Sequence, residues 1–147
     1  MKILFFLSLF LILGCSADYH FKKSKNVTPA DLLFQKIYED SIAIEPNYHR
    51  NDNQILLVFS TIGFANSNII VNKKDTIKFQ KLESNDCAKM KLLLVDKNNK
   101  NLFLESNGMP NLKIKILENY NYIKVDKIYE KKWDITYSYY FPFIMCY

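Results

Sequence analysis

The most reactive side chains of this sequence are three cysteines, Cys15, Cys87 and Cys146. A cysteine can serve as a nucleophile, a metal ligand or half of a disulfide, and its neighbours decide which. The two histidines, His20 and His49, do not form the histidine and cysteine spacing of a zinc site, and neither accompanies a cysteine as a general base would. Asp96 and Asn98 begin like a calcium loop, but Lys100 stands where the third ligand belongs and the required glycine is missing. The carboxylates are scattered along the chain, Glu39 and Asp134 among them, and no two are marked as an acid and base facing each other across a scissile bond. With Gly14, Gly63 and Gly108 as its glycines, the chain has no glycine-rich phosphate loop. No catalytic set, metal ligand set or cofactor motif is expected.

Cys15 has the most specific setting. Met1 and Lys2 precede an apolar run from Ile3 to Leu13, broken by Ser8, and Gly14, Cys15 and Ser16 follow. A positive start, a short apolar stretch and small residues at its end make a secretory signal. The run falls short of the roughly 20 apolar residues a membrane-spanning helix needs. Ile12-Leu13-Gly14-Cys15 resembles the lipobox of bacterial lipoproteins, with Ile12 where leucine is commonest. The resemblance covers residues 1–16 and implies a diacylglycerol thioether on Cys15, with cleavage before it. Two or three acyl chains on one residue give stable anchoring, whereas one chain binds marginally. Ser16, in place of the aspartate that favours retention at the inner membrane, points to the outer membrane if the cell is Gram-negative. The competing reading is ordinary cleavage after Ala17, which would release a soluble secreted protein starting at Asp18. Residues 15–26, polar and basic after the cysteine, read as a tether between lipid and domain.

Cys87 and Cys146 remain under either reading. In an oxidising envelope they can pair, and closing a loop of about 60 residues would stabilise by up to roughly 4 kcal/mol on the chain-entropy argument. Two separate buried thiols are the alternative. Aromatic residues crowd the C-terminus: Trp133, Tyr137, Tyr139 and Tyr140 are a candidate contact patch for glycan or protein. Core packing and cross-strand pairing are the simpler use of the same residues. The alternation from Tyr139 to Tyr147 resembles the last strand of an outer-membrane barrel, but Pro142 interrupts it.

The elements that carry these residues follow from pattern. The chain has 147 residues, 49% of them hydrophobic and 24% charged, which suits one folded domain, here residues 27–147 behind the signal 1–14 and the tether 15–26. Twenty basic against 15 acidic residues give a net charge of +5. Arg50 is the sole arginine, so bidentate reading of phosphate is poorly served and nucleic acid is not an expected partner. Thr28, Pro29 and Asp31 predict the start of one short helix ending near Ser41, with Leu33 and Ile37 on one face beside Leu32 and Tyr38. From Gln54 on the pattern is strand-like. Gln54–Ser60 reads as a buried strand, and Asn68–Val71 and Thr76–Lys81 flank a polar turn. Residues 96–100 read as a hairpin loop between Met90–Val95 and Leu102–Glu105. Leu112–Ile116, Tyr120–Val125 extended by Ile128 and Tyr129, Trp133–Tyr140 and Phe141–Tyr147 complete the set. Scarce glycine predicts longer asparagine- and lysine-rich loops over tight hairpins. About eight such strands predict a mainly β fold, an antiparallel sandwich or small barrel with one N-terminal helix.

The functional expectation is a lipid-anchored cell-envelope protein held to the membrane through acyl chains on Cys15. It would act as a non-catalytic binding or assembly module for an envelope protein or glycan. The alternatives are an envelope hydrolase with an unrecognised site, or a small inhibitor or immunity-type lipoprotein.

Overall fold

Alternating apolar residues fold this chain into two facing β-sheets. The structure, a computed structural model, describes residues 19–24, 26–44, 46–81, 90–128 and 131–142. Cys15, Cys87, Cys146, the signal and residues 143–147 of the expected strand Phe141–Tyr147 lie outside the described residues.

The first sheet contains β1 (Tyr19–Lys23), β2 (Gln54–Phe59), β5 (Lys91–Asp96), β8 (Tyr122–Ile128) and β9 (Lys132–Ser138), in the order β1-β9-β8-β2-β5. The second contains β3 (Asn68–Val71), β4 (Asp75–Lys78), β6 (Asn101–Ser106) and β7 (Leu112–Lys115), in the order β4-β3-β6-β7. The second sheet is antiparallel throughout. The first is mixed, because β1 runs parallel to β9 and β2 parallel to β8. The chain is thus the mainly β sandwich that its pattern predicts.

The inner faces meet in one core. Ile55, Leu57, Phe59, Ile123, Val125, Trp133 and Ile135 from the first sheet pack with Ile69, Val71, Leu102, Leu104, Leu112 and Ile114 from the second. Two aromatic heads tie the sheets: Trp133 Nε1 donates to the Pro110 carbonyl and Tyr137 Oη to the Lys115 carbonyl, each at 2.7 Å. A buried indole or phenol needs such a partner.

Around β2 the first sheet is buried on its outer face too, which explains why that strand is a continuous apolar run and does not alternate. Helix α1 (Pro29–Ile44) covers that face. Its start is fixed as expected: Asp31 N donates to Thr28 Oγ1 at 3.2 Å, and Thr28 N donates back to Asp31 Oδ2 at 2.8 Å. Asp31 here fills the reciprocal role of the glutamate in a capping box. The helix runs past Ser41, and the face it buries is not the one the sequence suggested. Leu33 and Ile37 are more than half exposed, while Tyr38 is buried against Leu56, Val58, Tyr122 and Phe141. Aromatic geometry decides the rotation: Tyr38 stacks on Phe141 with centroids 4.4 Å apart and meets Tyr122 edge-on at 5.9 Å. Gln35 locks it, donating to Tyr122 Oη at 3.2 Å and accepting from Phe141 N at 2.7 Å.

Three further expectations need correction. Residues 19–23, read as tether, are β1, an edge strand paired residue for residue with Trp133–Tyr137. Asp134 reinforces the pairing by accepting from His20 at 3.2 Å and Lys22 at 3.4 Å. Residues 96–100 are no hairpin loop: β5 pairs with β2 and β6 with β3 and β7, so this corner carries the chain from one sheet to the other. A short 3-10 turn, Lys97–Asn99, makes the corner, capped by Asp96 accepting from Asn98 N at 2.8 Å. Conversely, the β3–β4 connection is tight without glycine, because Asn72 and Lys73 both take positive φ, 52° and 58°.

A short helix, α2 (Thr61–Phe64), closes one end of the sandwich. Its Phe64 inserts between the sheets against Phe79 at 5.5 Å and Trp133 at 5.7 Å. Gly63 permits the approach, since a Cβ there would lie 2.9 Å from Asp126 Oδ1 and 3.0 Å from Lys127 Cβ. Strand directions place the starts of β1, β9 and β5 and the end of β8 at this same end. The β3–β4 turn, the 97–100 corner and Ser138 mark the opposite end.

Candidate functional site

The sequence-predicted aromatic patch divides between core and surface. Trp133 and Tyr137 alternate inward along β9 and are buried, so they are not available for contact. Burial pushes the Tyr137 hydroxyl up to about 12. Tyr140 is half-buried, and Tyr139 is exposed. Strand β9 ends at Ser138, and Tyr139 and Tyr140 lie in the bend that follows, so a patch counted along the sequence does not form as one surface.

Tyr139 instead joins a shallow groove at the end of the sandwich opposite α2. Its ring stacks on Tyr120 with centroids 4.6 Å apart and planes inclined by 25°. Lys23, Lys115, Glu118 and Asn119 complete a depression of about 450 Å³. Beside it, Lys97 Nζ donates to the Glu118 carbonyl at 2.9 Å, and partial burial lowers the pKa of that ammonium.

A second candidate was not legible from the aromatic count. Phe103 sits on the outer face of the second sheet and is 46% exposed, an unusual position for a phenylalanine in the middle of a strand. Its neighbours Leu102 and Leu104 are fully buried on the inner face, so the pleat directs Phe103 outward. Lys113, its cross-strand partner, places Nζ 5.6 Å from the ring centroid. Asn72 fixes the backbone beneath it: Asn72 Oδ1 accepts from Phe103 N at 2.9 Å, and Asn72 N donates to the Phe103 carbonyl at 2.8 Å. Two open depressions flank the ring. One, of about 470 Å³, is lined by Asn72, Lys73, Asn99 and Asn101; the other, of about 440 Å³, by Glu105, Asn111 and Lys113. An apolar ring face bordered by amides, ammonium groups and a carboxylate can hold a flat apolar surface while satisfying hydroxyl or acidic groups beside it.

The other sequence candidates are dispersed. His20 bonds to Asp134 at the sheet edge, and His49 is exposed in the loop before β2. Among the described residues, no three histidine, cysteine or acidic side chains come together as a metal site. No described helix is long and apolar enough to cross a membrane. No family model matches the chain, and comparison with curated proteins and with solved structures also returns no match.

Proposed function

We propose that this chain is a lipid-anchored protein of the bacterial cell envelope whose sandwich binds a partner, without catalysis, through the outer face of the second sheet. The anchor rests on the lipobox-like Ile12-Leu13-Gly14-Cys15 behind a short apolar run, and Ser16 favours the outer membrane. The observation that carries the binding reading is the exposed Phe103 ring, held on a rigid strand between two polar depressions. With Phe103 46% exposed, about half of the roughly 1.5–3 kcal/mol that full burial of such a side chain yields is left unrealised. A partner with an apolar patch and hydroxyl or acidic groups recovers it, which describes an envelope glycan or an acidic protein surface.

The test is crosslinking of the tagged protein in its own envelope, followed by capture of the partner. Phe103→Ala should abolish capture while lowering unfolding stability by only about 1 kcal/mol, the cost of replacing a half-exposed aromatic by alanine in a strand. Undiminished capture by this variant overturns the assignment of the face. Cys15→Ser should abolish lipid labelling and leave precursor or soluble protein, and unchanged membrane fractionation refutes the anchor.

A further inference from the structure

Building on the lipid anchor at Cys15, we propose that the end of the sandwich closed by α2 is a membrane-contact surface, held against the same bilayer that receives the acyl chains. The first support is reach. Ser16, Ala17 and Asp18 are all that separate Cys15 from Tyr19, the first residue of β1. Four steps of extended chain cover at most about 14 Å. The headgroup layer takes up roughly 5–7 Å of that on each side of a bilayer. What remains is no more than about one Debye length at physiological salt. A tether running to residue 26 would have given the domain freedom to tumble. The parallel pairing of β1 with β9 removes that slack and commits the α2 end to the lipid side.

The second support is the composition of that end. Ile62 on α2, Met90 before β5 and Tyr19 on β1 are 45%, 42% and 46% exposed, although each is a large apolar or aromatic side chain. Lys91 and Lys132 border them at the strand ends, with Lys131 beside Lys132. Apolar tips with lysines around them suit an interface where the first enter the headgroup boundary and the second meet anionic groups. Apolar insertion next to a covalent anchor sets the contact.

The orientation has a consequence for the binding face. With β9 standing along the membrane normal, its seven residues reach about 20 Å. The Tyr120–Tyr139 groove then points away from the lipid and the Phe103 face looks sideways.

The experiment is lysine acetylation of the intact lipidated protein in phosphatidylethanolamine–phosphatidylglycerol vesicles, compared with lipid-free Cys15→Ser protein and read by peptide mass. Lys91, Lys131 and Lys132 should react several-fold more slowly on vesicles, with Lys73 and Lys113 unchanged. The doubly substituted Ile62→Glu, Met90→Glu protein, altered at exposed positions, should keep its lipid and lose the protection. Uniform reactivity of all five lysines, or protection that survives both substitutions, overturns the contact surface. The mass of the N-terminal peptide separates the two layers of argument: lipid present without protection defeats this inference alone, and lipid absent from Cys15 defeats the anchor beneath it.

Discussion

Replacing Tyr137 by phenylalanine should produce a protein that is less stable than the parent at neutral pH and more stable in strong alkali. At neutral pH the variant loses the 2.7 Å hydrogen bond to the Lys115 carbonyl that ties β9 to β7. A bond of this kind contributes about 1 kcal/mol. In the parent, burial raises the hydroxyl from its ordinary value near 10 to about 12 in the folded state. The folded pKa lies above the unfolded one, so the contribution is complete below pH 10 and is lost as pH rises through the folded value. Linkage puts the loss at about 1.4 kcal/mol by pH 11 and about 2.3 kcal/mol by pH 12. Phenylalanine has no proton to lose, and the alkaline loss from Tyr38, also raised to about 12, is common to both proteins and cancels. The two stability curves should therefore cross near pH 11. Urea unfolding followed by Trp133 fluorescence from pH 7 to 12 measures both arms. A constant offset between parent and variant across that range would refute the claim that a desolvated, hydrogen-bonded hydroxyl joins the sheets.

Gly63→Ala should destabilise by about 1–3 kcal/mol, because the new methyl meets Asp126 and the Lys127 backbone at van der Waals overlap; thermal unfolding measures it, and Gly63→Ser should be no better tolerated. Lys73→Gly should stabilise by about 0.5–1 kcal/mol by removing the left-handed strain of a lysine at φ 58° in the β3–β4 turn, read as a rise in the urea midpoint. Gln35→Ala should cost about 1–3 kcal/mol, since it leaves Phe141 N without its acceptor beside the buried Tyr38–Phe141 stack. Hydrogen exchange at Phe141 should quicken in this variant with β3, β4, β6 and β7 unaffected.

Much of the fold is legible where a strand's environment is one-sided or fully buried. Leu112–Lys115 alternates because one face is core and the other solvent, and Gln54–Phe59 is apolar throughout because α1 closes the second face. The sequence says less where partners are distant. Every residue of β1 is exposed, so no burial pattern marks it, and its place is set by backbone pairing to a strand more than a hundred residues away. The buried face of α1 departs from the spacing for a related reason: Leu33 and Ile37 keep helical spacing, but the stripe that includes Gln35 and Tyr38 has the specific partners, Tyr122 and Phe141. At 96–100 the polar run marks a turn correctly yet cannot say that the next strand joins the other sheet. The candidate site was hidden because Phe103 lies between two leucines in an apolar stretch, and its exposure depends on which way the pleat falls.

That pleat follows from an asymmetry between the sheets. The first is buried on both faces along β2, by the second sheet and by α1, while its β1 edge is exposed. The outer face of the second sheet has no covering helix among the described residues, and there Phe103 lies beside Lys113 and Asn72. A helix packed across this face would have needed leucine and isoleucine at the outward positions of β6 and β7; the chain has instead Asn101, Phe103, Glu105, Lys113 and Lys115. One large apolar side chain among polar ones suits a face that stays soluble alone and gains from contact. If Phe103 were merely tolerated, Phe103→Thr should be silent in every envelope assay, since threonine fits a strand surface and adds a polar group. Loss of partner capture with unchanged folding would locate the contact on this sheet, and silence would remove it.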